Sequence, residues 1–526
     1  MSTTPSTPNR GIVVFSGGSA ANNLVDVFSA LRESKDCFLS YIIPISDNGG
    51  SSSELIRIFG GPGIGDVRSR LVRLIPPSPP NSERAAIKSL FNHRLPTDAS
   101  AHAEWLAIVD GTSTVWKSIT PAKKELIRSF FNLLNLEILK RARPPASTFD
   151  FSSASVGNLF LTGARLFSGS FESAIYLLSN ICDVPSDLVR VIPAINSNFS
   201  HHISASLANG TVIVGQNSIS HPSLPPRPTS PSITPLETET IGAAAIDYTE
   251  PSDVLSTALY EDDQPPGFLP HLRNKNISFS KSENEDLPAR ITRIWYINPY
   301  GQEIRPRANP RVLESIRDAQ AIVYSIGSLY TSLIPSIILQ GVGQAIVSSP
   351  ARHKILILNG SLDRETGPTS DPFTAVDFIE AITRAGEESR GRHFLDPANG
   401  SATSPSTTTN PSHNAVPPLQ LELNGLALSL PYTSYVTHVL HLDGPGTPSI
   451  DKDRLAVMGI ECLRLYGRKI VSSLPDGTEV PVGMRYDSAG LTQALEMVLG
   501  KKGDAMLRGE GLSRRNTLDP GRKRGA

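Results

Sequence analysis

Apolar and polar positions in this chain switch repeatedly between two periods, and each switch marks an element. Gly11 to Phe15 is a short apolar run, Ser16-Gly17-Gly18-Ser19 interrupts it, and Leu24, Val27, Phe28 and Leu31 then recur at helical spacing. Phe38 to Ile45 is a second, β-branched run. Together they predict a βαβ unit whose two glycine-rich loops leave the same edge of a parallel sheet. From Asn81 to about Ser168 the pattern is helical, with Thr120-Pro121 as a start signal for the apolar stretch Leu126 to Leu139. That stretch is apolar around much of its circumference, so it is expected between layers or against a partner subunit, which makes a homodimer the arrangement to test. Ser155-Val156-Gly157-Asn158 opens a further helix, where Asn158 either faces a site or caps.

The second half of the chain repeats the alternation. Val189 to Ile195 reads as a strand, and Ile203 to Leu207 with Thr211 to Val214, joined through Asn209-Gly210, reads as a hairpin. Strands are expected at Ile291 to Ile297, Ala321 to Ile326, Lys354 to Leu358 and Tyr435 to His441, and helices from Pro310, over Ala375 to Ala381 and over Ser488 to Leu499. Four strand-to-loop junctions share one chemistry: Ser16 to Ser19; Ser46-Asp47-Asn48-Gly49-Gly50-Ser51-Ser52-Ser53; Gly327-Ser328-Leu329-Tyr330-Thr331-Ser332; and Asn359-Gly360-Ser361. Scattered over more than half the chain, they imply a single site at the carboxyl ends of a parallel sheet.

Glycine and serine there suit phosphate. Glycine lets successive backbone N–H groups turn toward one anion, and a following helix start adds unpaired donors. The candidate ligand-binding residues are Gly17, Gly18, Ser19, Asn48, Gly49, Gly50, Ser51, Ser52, Asp66, Arg68, Gly327, Ser328, Thr331 and Asn359. Asp66 is expected to cap the helix carrying Val67, Leu71 and Leu74, and Arg68 is favoured over Arg57, Arg70 and Arg73 because it sits in that helix's first turn. No G-x-x-x-x-G-K-[ST] loop occurs and no G-x-G-x-x-G opens the first helix, which excludes the standard ATPase and dinucleotide motifs. His201 and His202, adjacent on a strand, point apart and do not suggest shared metal ligation.

Composition narrows the class. A formal net charge of -1 over 526 residues gives no electrostatic reason to expect nucleic acid or a membrane surface as partner. Three separated cysteines, Cys37, Cys182 and Cys462, suggest neither a disulfide framework nor a zinc cluster, and fit a reducing compartment, cytoplasmic by default. Residues 1–10 lack a secretory pattern and are expected to be disordered. Pro, Ser and Thr dominate about 220–287 and 387–418, read as partly disordered insertions within a single domain over 11–499, and 500–526 reads as a basic flexible tail.

Three ordered motifs resemble those of a known family. Ile45 to Arg57 is similar to an Asp-Asp-Gly-Gly-Ser-Ser-Gly-x-Leu-Arg loop, Gly63 to Arg68 to a Pro-Pro-Gly-Asp-Ile-Arg segment, and Ser325 to Ser332 to a Gly-Pro-Gly-Ser-Leu-Tyr-Thr-Ser segment. The chain resembles the 2-phospho-L-lactate transferase (CofD-like) and gluconeogenesis-factor superfamily. The resemblance implies a three-layer αβα, Rossmann-like fold. It also implies one of two activities. One branch binds a nucleotide-sugar and regulates metabolism; the other is a transferase that moves a phospholactyl-type group from a guanylyl-activated donor to an alcohol, with magnesium. Asp47 would be the catalytic or metal-side carboxylate. Asn48 replaces the family's second aspartate and removes one hard oxygen ligand from such a magnesium site, so the regulator branch is the closer match.

Overall fold

The computed structural model of the chain describes residues 10–18, 20–46, 49, 51–144, 147–221, 286–392, 420–423, 426–429, 431–473 and 479–500. Ser19, Asp47, Asn48 and Gly50 therefore lie outside the described residues, as do most of the two expected insertions and nearly all of both termini.

Fifteen strands occur among the described residues. In chain order they are β1 (Gly11–Phe15), β2 (Leu39–Ile43), β3 (Val189–Pro193), β4 (His202–Leu207), β5 (Val212–Val214), β6 (Ile291–Ile297), β7 (Glu303–Ile304) and β8 (Ala319–Tyr324). Then come β9 (His353–Ile357), β10 (Gln420–Leu423), β11 (Leu426–Ser429), β12 (His438–His441), β13 (Glu461–Arg464), β14 (Gly467–Ser473) and β15 (Glu479–Tyr486). Seven of them make one sheet in the order β13-β12-β9-β8-β1-β2-β3. Every pairing in it is parallel.

Buriedness explains the strand sequences. β2 (Leu-Ser-Tyr-Ile-Ile) is buried at every position, and β1 and β9 at all but their first, so these strands read as apolar runs rather than alternating patterns. Phe15 and Tyr324 stack across β1 and β8 with ring centroids 5.5 Å apart. A second sheet, β5-β4-β6-β7, is antiparallel, and its β4–β5 turn carries the expected Asn209-Gly210.

Helices flank the parallel sheet, giving the expected αβα architecture. α1 (Val25–Lys35) lies on β2 and on the helix Ser488–Val498, while Pro310–Arg317, started by the Asn309 cap and Pro310, packs on β1, β3 and β8. Two helices follow β2, α2 (Ser51–Phe59) and α3 (Gly65–Arg73), and five more precede β3. These are α4 (Glu83–Asn92), α5 (Ser100–Asp110), α6 (Pro121–Arg141), α7 (Val156–Ser168) and α8 (Phe171–Ile181). α7 is their hub. It is buried from Val156 to Arg165 and touches α2, α3, α4, α6 and α8.

Two expectations need correction. Asp66 does not cap α3: Ile64 occupies that position without a side-chain cap bond, and Asp66 lies in the first helical turn. The second insertion does not begin at Glu387, because the helix expected to end near Ala381 continues to Ser389. Glu387 is fully buried there, accepting from the Tyr435 hydroxyl at 2.6 Å, Arg390 at 2.7 Å and Arg392 at 2.6 Å. A glutamate in a polar-looking run is thus held by two neighbouring arginines and by a tyrosine from distant sequence.

Candidate functional site

The four polar junctions follow β1, β2, β8 and β9, and these strands are consecutive in the sheet as β9-β8-β1-β2. All these strands run parallel, but the order in which the chain adds them changes side at β1: β2 and β3 lie on one side of it, and β8 and β9 on the other. Loops on either side of such a point splay apart and leave a crevice at the strands' carboxyl ends.

On the β1 side, Gly17 is pressed between two groups. A Cβ there would lie 2.9 Å from Ser332 Cβ and Oγ and 3.2 Å from Asp66 Oδ2, so only glycine lets the β1 turn sit this close to the β8 loop. Gly18 follows with φ +47°, and its N–H donates to the Asp66 carboxylate. Burial raises the pKa of Asp66, against the pull of that N–H and of the Arg70 and Arg68 charges.

Arg68 and Arg70 leave α3 toward different fates. Arg70 is a buried brace. It donates to Ala21 O and Ser16 Oγ, each at 3.2 Å, and its guanidinium lies 4.5 Å from the centre of the Tyr41 ring. Arg68 makes one hydrogen bond among the described residues, from Nε to Asn158 Oδ1 at 3.1 Å. The other end of the Asn158 amide donates to Ser51 Oγ at 3.2 Å. Asn158, in the first turn of α7 behind its Ser155 cap, therefore links the starts of α2 and α3. Burial pushes the Arg68 pKa down to about 10, Arg94 adds like-charge repulsion, and Asp66 opposes both. A fork held by Nε, with a second arginine charge close by, is suited to a dianionic ligand. Arg57 and Arg73 are paired elsewhere, with Glu54 and Asp26.

On the β8 side the chain satisfies itself. Asn359 Nδ2 donates to Gly327 O and Asn359 Oδ1 accepts from Gly327 N, both at 2.9 Å, which ties the β9 loop to the β8 loop. Glu365, buried, accepts through Oε2 from the N–H groups of Tyr330 (2.9 Å) and Thr331 (3.0 Å). Its Oε1 accepts from the hydroxyls of Thr331 (2.6 Å) and Ser220 (2.7 Å). Burial, with the neighbouring Asp363 charge, pushes Glu365 up to about 7 although four donors pull the other way. Asp363 caps the short turn Arg364–Thr366, takes the Thr366 hydroxyl at 3.0 Å and interacts with the Ser328 side chain, and burial raises its pKa as well.

The predicted residues thus divide. Gly17, Gly18, Asp66, Arg68 and Ser51 come together; Gly49 and Ser52 lie on the same β2-to-α2 connection, with Ser52 buried and its N–H donating to Gly49 O at 3.2 Å. Gly327, Ser328, Thr331 and Asn359 meet in the other half, bonded chiefly to one another and to Asp363 and Glu365. Sequence reasoning placed Glu365 in the polar loop Arg364-Glu365-Thr366-Gly367 and Ser332 in the third loop without giving either a role, and left Asn158 undecided. The Asp363-x-x-Thr366 capping pattern was the available signal for Glu365, since it fixes a tight turn beside the third loop. His201 and His202 are both shifted toward the neutral form by burial, His202 to about 4, and neither joins the site.

A magnesium site needs hard oxygen ligands converging on one point. Among the described residues no group of three or more His, Cys, Asp or Glu does so, and Asp363 and Glu365 are occupied by internal donors. Asp47, the carboxylate expected on the magnesium side, lies outside the described residues. Also among them, no helix is long and apolar enough to cross a membrane.

A parallel seven-stranded αβα core with its small, polar loops gathered at a topological switch point defines a Rossmann-like protein. The chain belongs to the CofD family: the family model described as 2-phospho-L-lactate transferase CofD matches residues 12–408. It is 43% identical over 382 residues to an uncharacterized protein of Saccharomyces cerevisiae, covering 71% of this chain and 83% of that one. It is 24% identical over 373 residues to a protein named gluconeogenesis factor from Halalkalibacterium halodurans, covering 71% and 73%. A crystal structure of a member of the UPF0052 family from Bacillus halodurans superposes with a TM-score of 0.50 at 20% identity, over 93% of this chain and all of that one, a likeness of fold.

Proposed function

We propose that this CofD-like protein binds a phosphate-bearing nucleotide or nucleotide-sugar in the crevice between the β1 and β8 loops and acts as a metabolic regulator. The observation that carries the reading is Arg68: a buried guanidinium anchored at Nε by Asn158, near a second arginine, its stem lying against Gly157. Desolvating a cation without a full ion pair is costly, and a bound phosphate is the group that offsets the cost. The name gluconeogenesis factor on several relatives supports the regulatory part, as does Asn48 in the place of an aspartate.

The matched family's description, a transferase, supplies a second reading, in which Asp47 and magnesium serve transfer from a nucleotide-activated donor to an alcohol. One experiment separates them. Melting of the purified chain is followed with GDP, GTP, UDP-glucose, UDP-N-acetylglucosamine and inorganic phosphate, each with and without magnesium. A ligand at about a hundred times its Kd adds about 2.7 kcal/mol of stability. A magnesium-independent shift with a UDP-sugar is expected. A shift only with a guanine nucleotide and magnesium favours the transferase, and no shift with any compound overturns both.

A further inference from the structure

We infer that the antiparallel sheet β5-β4-β6-β7 serves the crevice as a crossbar, with Gln216 and Ser220 as positioning residues that set the separation of its two walls. The inference rests on the reading of the crevice as a nucleotide site. Where the walls touch directly, Gly17 against Ser332, they meet beside β1. The β2 loop lies one strand further out. Loops on the two sides of a switch point diverge, so the β2 loop needs a hold of its own.

Two elements of the second sheet supply it. Gly215, at φ +89°, turns the chain off β5 into the single helical turn α9 (Gln216–Ser220), whose Ile219 is fully buried. This turn packs on β4 and β5 and on the segments Leu329–Leu333 and Arg364–Thr366. Its first residue reaches one wall: Gln216 Oε1 accepts from Ser46 Oγ at 2.9 Å, and Ser46 is buried directly before Asp47 and Asn48. Its last residue reaches the other, where Ser220 Oγ donates to Glu365 Oε1 at 2.7 Å with Thr331 Oγ1 3.2 Å away. Tyr296 of β6 repeats the span. Its buried hydroxyl donates to Pro335 O at 2.9 Å, just past the β8 loop, and interacts with the Ser46 side chain.

The consequence is for phosphate binding. Backbone donors cradle an anion only when they converge, and a binding constellation must be held to within about 0.5 Å of its working geometry. Gln216 acts through Ser46 on the stretch that runs to Ser52, whose N–H donates to Gly49 O at 3.2 Å. Loss of one neutral hydrogen bond of ordinary net worth corresponds to about fivefold in an equilibrium constant. That is the scale on which the crossbar tunes affinity.

Amide exchange read by mass spectrometry, with titration calorimetry against UDP-glucose, tests this on the full chain. In Gln216→Met the Ser52 amide is expected to exchange faster while the amides of β1 and β2 hold, and the affinity for UDP-glucose to fall about fivefold. Gln216→Glu keeps the acceptor for Ser46 and should hold Ser52 exchange at the wild-type rate. Ser46→Ala should lose at least as much affinity, and adding Gln216→Met to it should cost no more, because the glutamine works through that hydroxyl. An unchanged Ser52 rate in Gln216→Met, a rise shared by β1 and β2, or an affinity for UDP-glucose equal to the wild type's overturns the crossbar. Exchange needs no ligand, so the two readings fail separately. Faster Ser52 exchange in Gln216→Met, in a chain whose wild type binds no nucleotide, upholds the crossbar and overturns the nucleotide reading.

Discussion

The two sides of the crevice are built on opposite principles. On the β8 side, donors predicted to hold a ligand are already taken: Glu365 receives two backbone N–H groups and two hydroxyls, and Asn359 closes on Gly327. On the β1 side, Arg68 has one hydrogen bond among the described residues and its stem rests on Gly157, where a Cβ would meet Arg68 Cδ at 2.8 Å. One side is a finished frame, and the other keeps charge in reserve. The contrast teaches that a loop of the right composition can serve a site by being rigid, without touching what the site holds.

The largest expected effect lies on the finished side. Glu365→Ala leaves two buried N–H groups and two hydroxyls without their acceptor. Each unsatisfied buried group costs about 1–3 kcal/mol, so the loss measured by urea unfolding is expected to be about 3 kcal/mol or more. A loss below about 1 kcal/mol would break the comparison, because the frame would then stand without its carboxylate.

Glu365→Gln keeps the shape and removes the titration. The folded carboxyl titrates near 7, above its unfolded value near 4.5, so between those values the folded chain holds a proton that the unfolded chain releases. Its contribution to stability is complete below about pH 4.5 and is lost as pH rises through about 7. The wild-type chain should lose up to about 3 kcal/mol relative to Glu365→Gln across that window. Parallel pH profiles for the two chains would show that the carboxylate is already ionised throughout and that its four donors prevail over burial.

How far all this was legible follows from where the causes lie. Strands such as β2 and β9, buried on both faces, announce themselves as apolar runs, and loops that must turn tightly announce themselves as glycine. The four junctions were therefore visible, though their adjacency needed the strand order. β13 was missed: Glu-Cys-Leu-Arg is short and mixed because it is an edge strand paired on one side only. Asn158 and Glu365 are polar residues with partners 90 and 34 positions away along the chain, and the Tyr435 that holds Glu387 is 48 away; no local pattern encodes such pairings. Asp66 misled for a related reason. An aspartate near a helix start is usually its cap, but here Gly18, in the turn after β1, competes for the carboxylate.

On the reserved side the effects should appear in binding more than in stability. Arg68→Met keeps the buried stem and removes the charge. A hydrogen bond to a charged group contributes about 1.5–3 kcal/mol, so affinity for whichever nucleotide shifts the melting point should fall about tenfold to a hundredfold, read by titration calorimetry. The melting temperature of the free chain should hold or rise, because the variant no longer buries a poorly paired cation.

Asn158→Ala should act on the same ligand more weakly. It removes one acceptor for Arg68 Nε and one donor to Ser51 Oγ, each a neutral or singly charged bond, and leaves both groups in place. Arg68 can then swing, so the cost to binding is that of reordering it, about 1 kcal/mol or roughly fivefold. Combined with Arg68→Met the loss should be no greater than for Arg68→Met alone, since Asn158 works through the guanidinium it holds. Additive losses in the double variant would mean that Asn158 meets the ligand itself, and the reserved side would then be wider than one arginine.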